Sequence, residues 1–216
     1  MLRTTFIASL LMASSLQSAA AEQGDFLVRL RGIVVAPTAQ SGDVLPSFPG
    51  GQVDVENGLS PEVDFTYFLT DNIGVELIAA TTAHTVVGEG ALAGVGDIAD
   101  LMVLPPTLTF QYHFNPEGVF RPYVGVGVNW SIFYSEDASP ALVNAVGPTD
   151  VAVDDSVGVA YQAGFDVPIG DRWVFNADVK WIQIDTTATL TSGPAVNTVD
   201  IDLDPIVAGI GIGYRF

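Results

Sequence analysis

The chain ends with DPIVAGIGIGYRF, residues 204–216, and this stretch decides the fold class. From Ile206 to Phe216 every second residue is apolar or aromatic, and glycines occupy most of the positions between them. A period of two is typical of a β-strand whose two faces differ. Because an unpaired strand of this kind would promote aggregation in water, the pattern predicts that it is paired along both edges.

The composition indicates a protein that contacts lipid. Hydrophobic residues are 49% of the 216-residue chain and charged residues are 15%, while the mean hydropathy is +0.40. After residue 21, no apolar run approaches the roughly 20 residues that a spanning helix needs. The other structure that satisfies its backbone hydrogen bonds in lipid is a closed β-barrel, whose alternating strands hide their apolar content from a hydropathy window.

The charge of the chain excludes two other classes of protein. The formal net charge is −18, with 25 acidic residues against seven lysines and arginines. Nucleic-acid binding requires clustered basic residues, so no nucleic-acid partner is expected. A disordered acidic chain is excluded as well, because disorder requires low hydrophobicity.

Residues 1–21, MLRTTFIASLLMASSLQSAAA, have the features of a signal peptide. Arg3 gives the positive start, residues 6–12 are the apolar stretch, and residues 19–21 form a small-residue cleavage site. We therefore predict that the mature chain starts at Glu22 and that residues 22–216 form one barrel. The chain has no cysteine, so it is not a secreted module held by disulfides.

Eight segments alternate clearly, and we predict a strand for each: 25–36, 60–69, 73–84, 105–114, 121–134, 156–168, 172–187 and 204–216. Their outward faces are apolar and their inward faces polar, as in an outer-membrane barrel. On one outward face, Trp173 and Trp181 are predicted to mark the lower and upper membrane interfaces.

The connections between these segments also alternate. Three are short, at 70–72, 115–120 and 169–171, and four are long, near 37–59, 85–104, 135–155 and 188–203. Outer-membrane barrels have short periplasmic turns and long external loops. The sequence thus predicts an all-β fold, a transmembrane eight-stranded antiparallel up-and-down β-barrel, with both chain ends in the periplasm and the last strand paired with the first.

Five motifs resemble the OmpW family of small bacterial outer-membrane proteins: TDNIGVELIAAT (70–81), LPPTLTFQYHF (104–114), FRPYVGVGVNW (120–130), WIQIDTTA (181–188) and LDPIVAGIGIGYRF (203–216). The resemblance follows the mature chain in order and weakens in the long loops. It implies location in the bacterial outer membrane and a narrow, largely hydrophobic interior that passes or binds small hydrophobic molecules. The final Phe216 resembles the signal read by the barrel-assembly machinery.

The inward residues divide into a charged set and an apolar set. Since side chains nearly fill an eight-stranded barrel and buried charges must be paired, we predict a lumen plug formed by Arg29, Arg31, Glu62, Asp64, Glu76, Asp178, Lys180 and Arg215. Glycines 209, 211 and 213 would leave room for Arg29 and Arg31. The plug either only fills the barrel or has a gating role. Above it we predict an apolar well, open to the outside, lined by Ile33, Val35, Ile78, Phe133, Ile182 and Ile184.

Prolines lie near the upper ends of several predicted strands, at positions 37, 61, 105, 106 and 205. Proline cannot donate to a β-ladder, and Pro105 with Pro106 removes two successive donors. These prolines either mark strand ends or weaken a seam through which an apolar molecule leaves sideways into the outer leaflet. A possible lateral seam is therefore assigned to Pro105 and Pro106.

No catalytic residue, cofactor or metal site is predicted. The only histidines are His84 and His113, and neither lies in a pattern that suggests nucleophilic or acid–base chemistry. The expected function is uptake of small apolar molecules by a monomer that contacts outer-membrane lipids and lipopolysaccharide. The alternative is a structural or receptor barrel that acts through its external loops. Within one loop, GDIADLMVL (96–104) is expected to form a short amphipathic turn that covers the well as a lid.

Overall fold

The computed structural model describes residues 22–216, so the predicted signal peptide lies outside the described residues. The elements are β1 (Phe26–Ala36), β2 (Gln40–Ser41), β3 (Gly51–Val55), β4 (Gly58–Phe68), β5 (Ile73–Ala80), β6 (Thr82–Gly90), β7 (Asp97–Leu104), β8 (Thr107–His113), β9 (Arg121–Ala138), α1 (Pro140–Val146), β10 (Asp150–Val153), β11 (Ser156–Pro168), β12 (Trp173–Ile182), β13 (Asp185–Ser192), β14 (Ala195–Asp202) and β15 (Ile206–Arg215). Within residues 22–216, no helix is both long and apolar enough to span a bilayer.

Eight antiparallel strands close into a barrel, as predicted. Their order around the barrel is β1, β4, β5, β8, β9, β11, β12 and β15, and β15 returns to pair with β1. Each of the eight predicted segments overlaps one of these strands, although β4 begins two residues earlier than predicted and β9 ends four residues later. The fold prediction is therefore confirmed, both in strand number and in up-and-down order.

The terminal strand is paired along both edges. On one side β15 pairs with β1, from Arg215 opposite Leu27 to Ile206 opposite Ala36, and on the other side it pairs with β12. The Phe216 amide also donates to the Phe26 carbonyl over 2.8 Å. Both ends of the described chain thus lie at the same end of the barrel as the three short turns, which is the periplasmic end of an outer-membrane barrel.

Apolar side chains cover the outside of the barrel, where Leu30, Phe110, Val126 and Ile210 are all more than half exposed. Near the chain ends, aromatic rings contact each other in pairs: Phe26 with Tyr67, Trp173 with Tyr214, and Tyr214 with Phe216. Toward the other end, Trp181 stacks on Tyr161 with 5.8 Å between ring centroids. These positions fit the aromatic belts found at both membrane interfaces.

The four long connections are not simply loops. One side of the barrel is extended outward: β7 pairs with the upper part of β9, β6 pairs with β7, and β3 pairs with β6. A separate four-stranded sheet contains β10, β13, β14 and β2 in that order. The expected lid at 96–104 is wrong, because Asp97–Leu104 is strand β7 and pairs with both β6 and β9. The walls therefore continue past the membrane-spanning strands as an extracellular extension.

Candidate functional site

An apolar well fills the upper barrel and the extracellular extension. The space between its lining side chains is about 1130 Å³, counting the part open to solvent. All six residues predicted to line the lumen contribute to it: Ile33, Val35, Ile78, Phe133, Ile182 and Ile184. Because they alternate with lipid-facing residues along their strands, one period-two pattern builds both the outer surface and the well.

The extension supplies further lining residues that were not predicted from the sequence. They belong to strands within the predicted loops, or in one case directly follow such a strand: Val53, Val55, Val86, Leu101, Val103, Leu190, Val199, Ile201 and Leu203. The signal was present in TVDIDL (198–203), where Val199, Ile201 and Leu203 alternate with Asp200 and Asp202. This segment was predicted to be part of a long connection, whereas Asp200 and Asp202 lie on the outer face of β14, whose inner face is apolar.

Below the well, Arg29 is the centre of a charged network. Its side chain is fully buried, with Nη1 3.0 Å from Asp64 Oδ1 and 3.2 Å from Glu76 Oε1. On its other side, Nη2 lies 2.7 Å from Asp166 Oδ2. Asp166 was not among the residues predicted for the plug, although its place in the alternation of β11 turns it inward.

Arg31 and Lys180 complete this network one level higher. Arg31 Nη2 lies 2.8 Å from Glu62 Oε1 and 2.8 Å from Asp64 Oδ2, while Arg31 Nη1 lies 2.7 Å from Asp178 Oδ2. The Lys180 ammonium also contacts Glu62, at 2.8 Å, and Asp178, at 3.1 Å. Seven of the predicted plug residues are thus brought together.

The eighth predicted plug residue, Arg215, lies at the periplasmic end of the barrel. Its Nε is 3.5 Å from Asp25 Oδ2, and its Nη2 donates to the Asp171 carbonyl over 3.4 Å. These contacts tie the last strand to the start of the described chain and to a periplasmic turn.

Glycine on β15 makes room for the two arginines. Gly211 is directly opposite Arg31, and a Cβ at Gly211 would lie 2.7 Å from the Arg31 Cα and would overlap the carbonyl oxygen of Leu30. A larger residue would push β15 away from β1 or displace the guanidinium from its acids. The small residue therefore serves the packing of the plug.

Aromatic rings fill the barrel below the network. Phe68, His113 and Tyr123 form a continuous stack, with 5.0 Å between the centroids of successive rings. The Arg29 guanidinium carbon lies 5.5 Å from the Tyr123 ring centroid, within cation–π range. With the barrel interior occupied in this way, a molecule in the well has a charged floor beneath it and no apolar path to the periplasm.

A roof lies over the outer end of the well. Residues 42–51 connect β14 with β6. Leu45 exchanges backbone hydrogen bonds of 3.0 and 2.8 Å with Thr198 of β14, and Gly51 lies opposite Gly90 of β6. Helix α1 begins at the N-cap Ser139, whose backbone amide donates to Ile98 of β7. The well is thus bridged at its outer end, while part of it stays open to solvent.

The barrel wall is interrupted beside the connection between β5 and β6. On the edge that faces β4, the pairing of β4 with β5 ends at Glu62 opposite Ala80. The next backbone hydrogen bond along this edge is the one that the Glu56 amide donates to the Thr85 carbonyl of β6. Between these points, Ser60 Oγ donates to the Thr81 carbonyl. Ladder hydrogen bonds are thus missing along much of this edge.

Pro105 and Pro106 stand on the other edge of the same connection. The register is unchanged across them, with Ile78 opposite Thr107 and Thr82 opposite Val103, but neither proline can donate. Toward β9 their carbonyls are used: the Trp130 amide donates to Pro106 and Asn129 Nδ2 to Pro105. The stretch around Thr81 therefore has weakened pairing on both of its edges.

The two histidines are held by ordinary structural contacts. His84, in the extracellular extension, has Nδ1 2.9 Å from the Glu56 carbonyl oxygen, and burial lowers its pKa although this hydrogen bond opposes the shift. His113 packs in the aromatic stack, with Nε2 3.1 Å from Gln111 Oε1. Among residues 22–216, no group of three or more His, Cys, Asp and Glu side chains is arranged to hold a metal ion.

Comparison with known proteins gives consistent matches. A family model described as the OmpW family matches residues 22–216. The chain is 42% identical over 196 residues to outer membrane protein W of Salmonella typhimurium, covering 90% of each chain. The crystal structure of the outer membrane protein OprG from Pseudomonas aeruginosa superposes with a TM-score of 0.86 at 34% identity, covering 91% of this chain and 98% of that one.

A more distant relative carries a name that refers to metabolism. It is the "Dibenzothiophene metabolism operon protein PahQ" of Pseudomonas aeruginosa, 29% identical over 170 residues, which cover 78% of this chain and 76% of that protein. None of these three proteins is named for an enzymatic activity.

Proposed function

The chain belongs to the OmpW family of bacterial outer-membrane barrels, and from this premise we propose that it takes up small apolar molecules through its well. The observation that carries the proposal is the lining itself. Residues from both the barrel and the extension enclose an almost wholly apolar space. Outer-membrane barrels in general have a polar interior instead. Apolar molecules gain free energy when they leave water for such a space.

The relative named for dibenzothiophene metabolism supports this choice of substrate class. Dibenzothiophene is a fused aromatic compound without a charge, and its size and polarity suit a well of this kind. From this name we infer only the class of molecule, which is small and apolar, and not a particular compound.

The exit is proposed to be lateral. The plug and the aromatic stack fill the barrel below the well, so a bound molecule needs another way out. The connection around Thr81 offers one, because its pairing is weakened by the gap toward β4 on one edge and by Pro105 and Pro106 on the other. An apolar molecule that passes there enters the hydrocarbon of the outer leaflet, which is its preferred solvent.

Uptake into proteoliposomes tests the function directly. Wild-type protein should admit a small apolar fluorophore faster than empty vesicles do, and it should admit a sugar of similar size no faster than they do. Equal rates for the fluorophore with and without protein would overturn the proposal. That result would favour the alternative of a structural or receptor barrel that acts through its extracellular extension.

The partner predictions extend this proposal. The aromatic belts and exposed apolar wall support contact with outer-membrane lipids. Contact with lipopolysaccharide, recognition of Phe216 by the barrel-assembly machinery and a monomeric state stay predictions from the sequence.

A further inference from the structure

The floor of the apolar well is polar at one place. Glu62 and Lys180 are the uppermost charged pair of the plug, 2.8 Å apart, and both belong to the lining of the well. The next inward side chain above Lys180 on β12 is apolar, namely Ile182. A molecule that reaches the floor therefore meets one carboxylate and one ammonium in otherwise apolar surroundings.

The carboxylate of Glu62 uses only one of its oxygens in the plug. Oε1 contacts both Lys180 Nζ and Arg31 Nη2 at 2.8 Å. Among the described residues, Oε2 takes part in no hydrogen bond or ion pair, although Glu62 is only 2% exposed. Because Glu62 lines the well, this oxygen is available to a hydrogen-bond donor there.

The ammonium of Lys180 also retains bonding capacity. It has three N–H donors, and its contacts in the plug are with Glu62 Oε1 and Asp178 Oδ2. The floor thus presents an acceptor, Glu62 Oε2, beside a donor, the third N–H of Lys180. A hydroxyl group fits both atoms, because its hydrogen donates to the first and its oxygen accepts from the second.

The charges of the plug select against an anion. Its ion-pair network contains five carboxylates (Glu62, Asp64, Glu76, Asp166 and Asp178) and three cations (Arg29, Arg31 and Lys180). A ligand carboxylate would add negative charge to a network that already has an excess of it.

We propose that the preferred ligands of the well are apolar molecules that carry one hydroxyl group, such as alcohols or phenols, bound with the hydroxyl on Glu62 and Lys180. This inference rests on the proposed function, since it assumes that the well is the binding site. It adds the substrate class within that function, and it makes Glu62 a specificity-determining residue in addition to a member of the plug.

Three matched naphthalene compounds test the proposal in nanodiscs. 2-Naphthol can donate and accept, 2-methoxynaphthalene can only accept, and 2-naphthoate is an anion. Binding is measured by ligand fluorescence, with empty nanodiscs as the correction for partition into lipid. Wild-type protein should bind 2-naphthol roughly tenfold more tightly than 2-methoxynaphthalene, as expected for one hydrogen bond to a charged group, and should bind 2-naphthoate weakest.

Glu62→Gln is the informative variant. Its amide can keep the Oε1 contacts and places an NH₂ donor where Oε2 accepts, so the preference for 2-naphthol over 2-methoxynaphthalene should fall below about twofold. Glu89→Gln is the matched control, because Glu89 is exposed and outside the well lining, and it should keep the wild-type preference. A preference that persists in Glu62→Gln would overturn the proposal.

Wild-type protein alone also decides the question if Glu62→Gln does not fold. Equal affinities for 2-naphthol and 2-methoxynaphthalene would overturn the hydroxyl preference while leaving the apolar well intact. If neither compound binds beyond the empty-disc level, the proposed function itself fails. A change in the NMR shift of the Lys180 ammonium with 2-naphthol, absent with naphthalene, would place the hydroxyl at the floor.

Discussion

Arg29 and Asp64 are direct cross-strand neighbours on β1 and β4, and their side chains meet inside the barrel with 3.0 Å between Nη1 and Oδ1. The next inward pair on the same two strands, Arg31 and Glu62, repeats this relationship at 2.8 Å. The register of one strand pair therefore builds the central ion pairs of the plug. The plug separates the well from the periplasmic end of the barrel, so the pairing of β1 with β4 also closes the floor of the well.

Arg29→Met should destabilise the barrel by about 3–5 kcal/mol, because it leaves buried carboxylates without their cation. The three acids that contact Arg29 are Asp64, Glu76 and Asp166. Urea unfolding in detergent or vesicles measures the change. Arg172→Met is the control, since Arg172 is exposed and its Nη1 is 3.4 Å from the Tyr214 hydroxyl. Equal losses in the two variants would contradict the role of Arg29 at the centre of the plug.

Gly211→Ala should destabilise the protein by about 1–3 kcal/mol through overpacking against β1. The added Cβ would lie 2.7 Å from the Arg31 Cα, a distance that requires a backbone shift. Gly170→Ala provides the comparison, because a Cβ at that turn meets no atom within 4 Å. Thermal unfolding of both variants gives the result. If Gly211→Ala unfolds at the wild-type temperature, β15 does not depend on close approach there.

Ser139→Ala should loosen the roof by removing the N-cap of α1, at a cost of about 1 kcal/mol. The Leu142 amide donates to Ser139 Oγ over 3.0 Å, and this bond would be lost. Hydrogen exchange should become faster for the amides of α1 and stay unchanged in the barrel strands. Thr198→Ala, at an exposed position of β14, should leave exchange in α1 unaffected. Unchanged protection of α1 in Ser139→Ala would show that the cap does not hold the helix.

Pro105→Thr/Pro106→Thr should slow the release of an apolar probe into the membrane. Successive backbone N–H groups of a strand point to opposite edges, and the Pro106 carbonyl already faces β9. The change therefore restores one donor toward Ala80, at position 105, and strengthens one edge of the proposed exit. We expect uptake to fall severalfold while the barrel still folds. Pro116→Thr, in a periplasmic turn, should leave uptake unchanged. Unchanged uptake in the double variant would count against lateral exit at this seam.

Much of the barrel could be predicted from the sequence because lipid on one side and a filled interior on the other impose a strict period of two. The last strand shows this most clearly, with apolar residues from Ile206 to Phe216 facing lipid. The predicted lid at 96–104 was wrong for a related reason. The period of two is interrupted in β7, where Ile98 and Ala99 are both buried and the register with β9 shifts between Asp100 and Met102, so the strand was not recognised.

The sequence predicted which side chains of the candidate site point into the barrel better than it predicted which of them contact each other. Alternation placed Arg29, Arg31 and Lys180 inside, but pairing depends on register and on side-chain length. Asp166 contacts Arg29 from the far side of the barrel, and sequence distance gives no signal of that contact. The free oxygen of Glu62 is also invisible in the sequence, because it depends on how two cations share the other oxygen.

Passage through the well is tested most sharply by uptake of a small apolar fluorophore into proteoliposomes that contain Ile182→Asp/Ile184→Asp. These two side chains line the well from β12 and the residues that follow it, and both are 4% exposed. We expect uptake to fall to the level of empty vesicles, while Ile182→Val/Ile184→Val keeps nearly wild-type uptake. Uptake by the aspartate variant at the wild-type rate, with the barrel folded, would show that the molecule does not pass through the well and would contradict the proposed function.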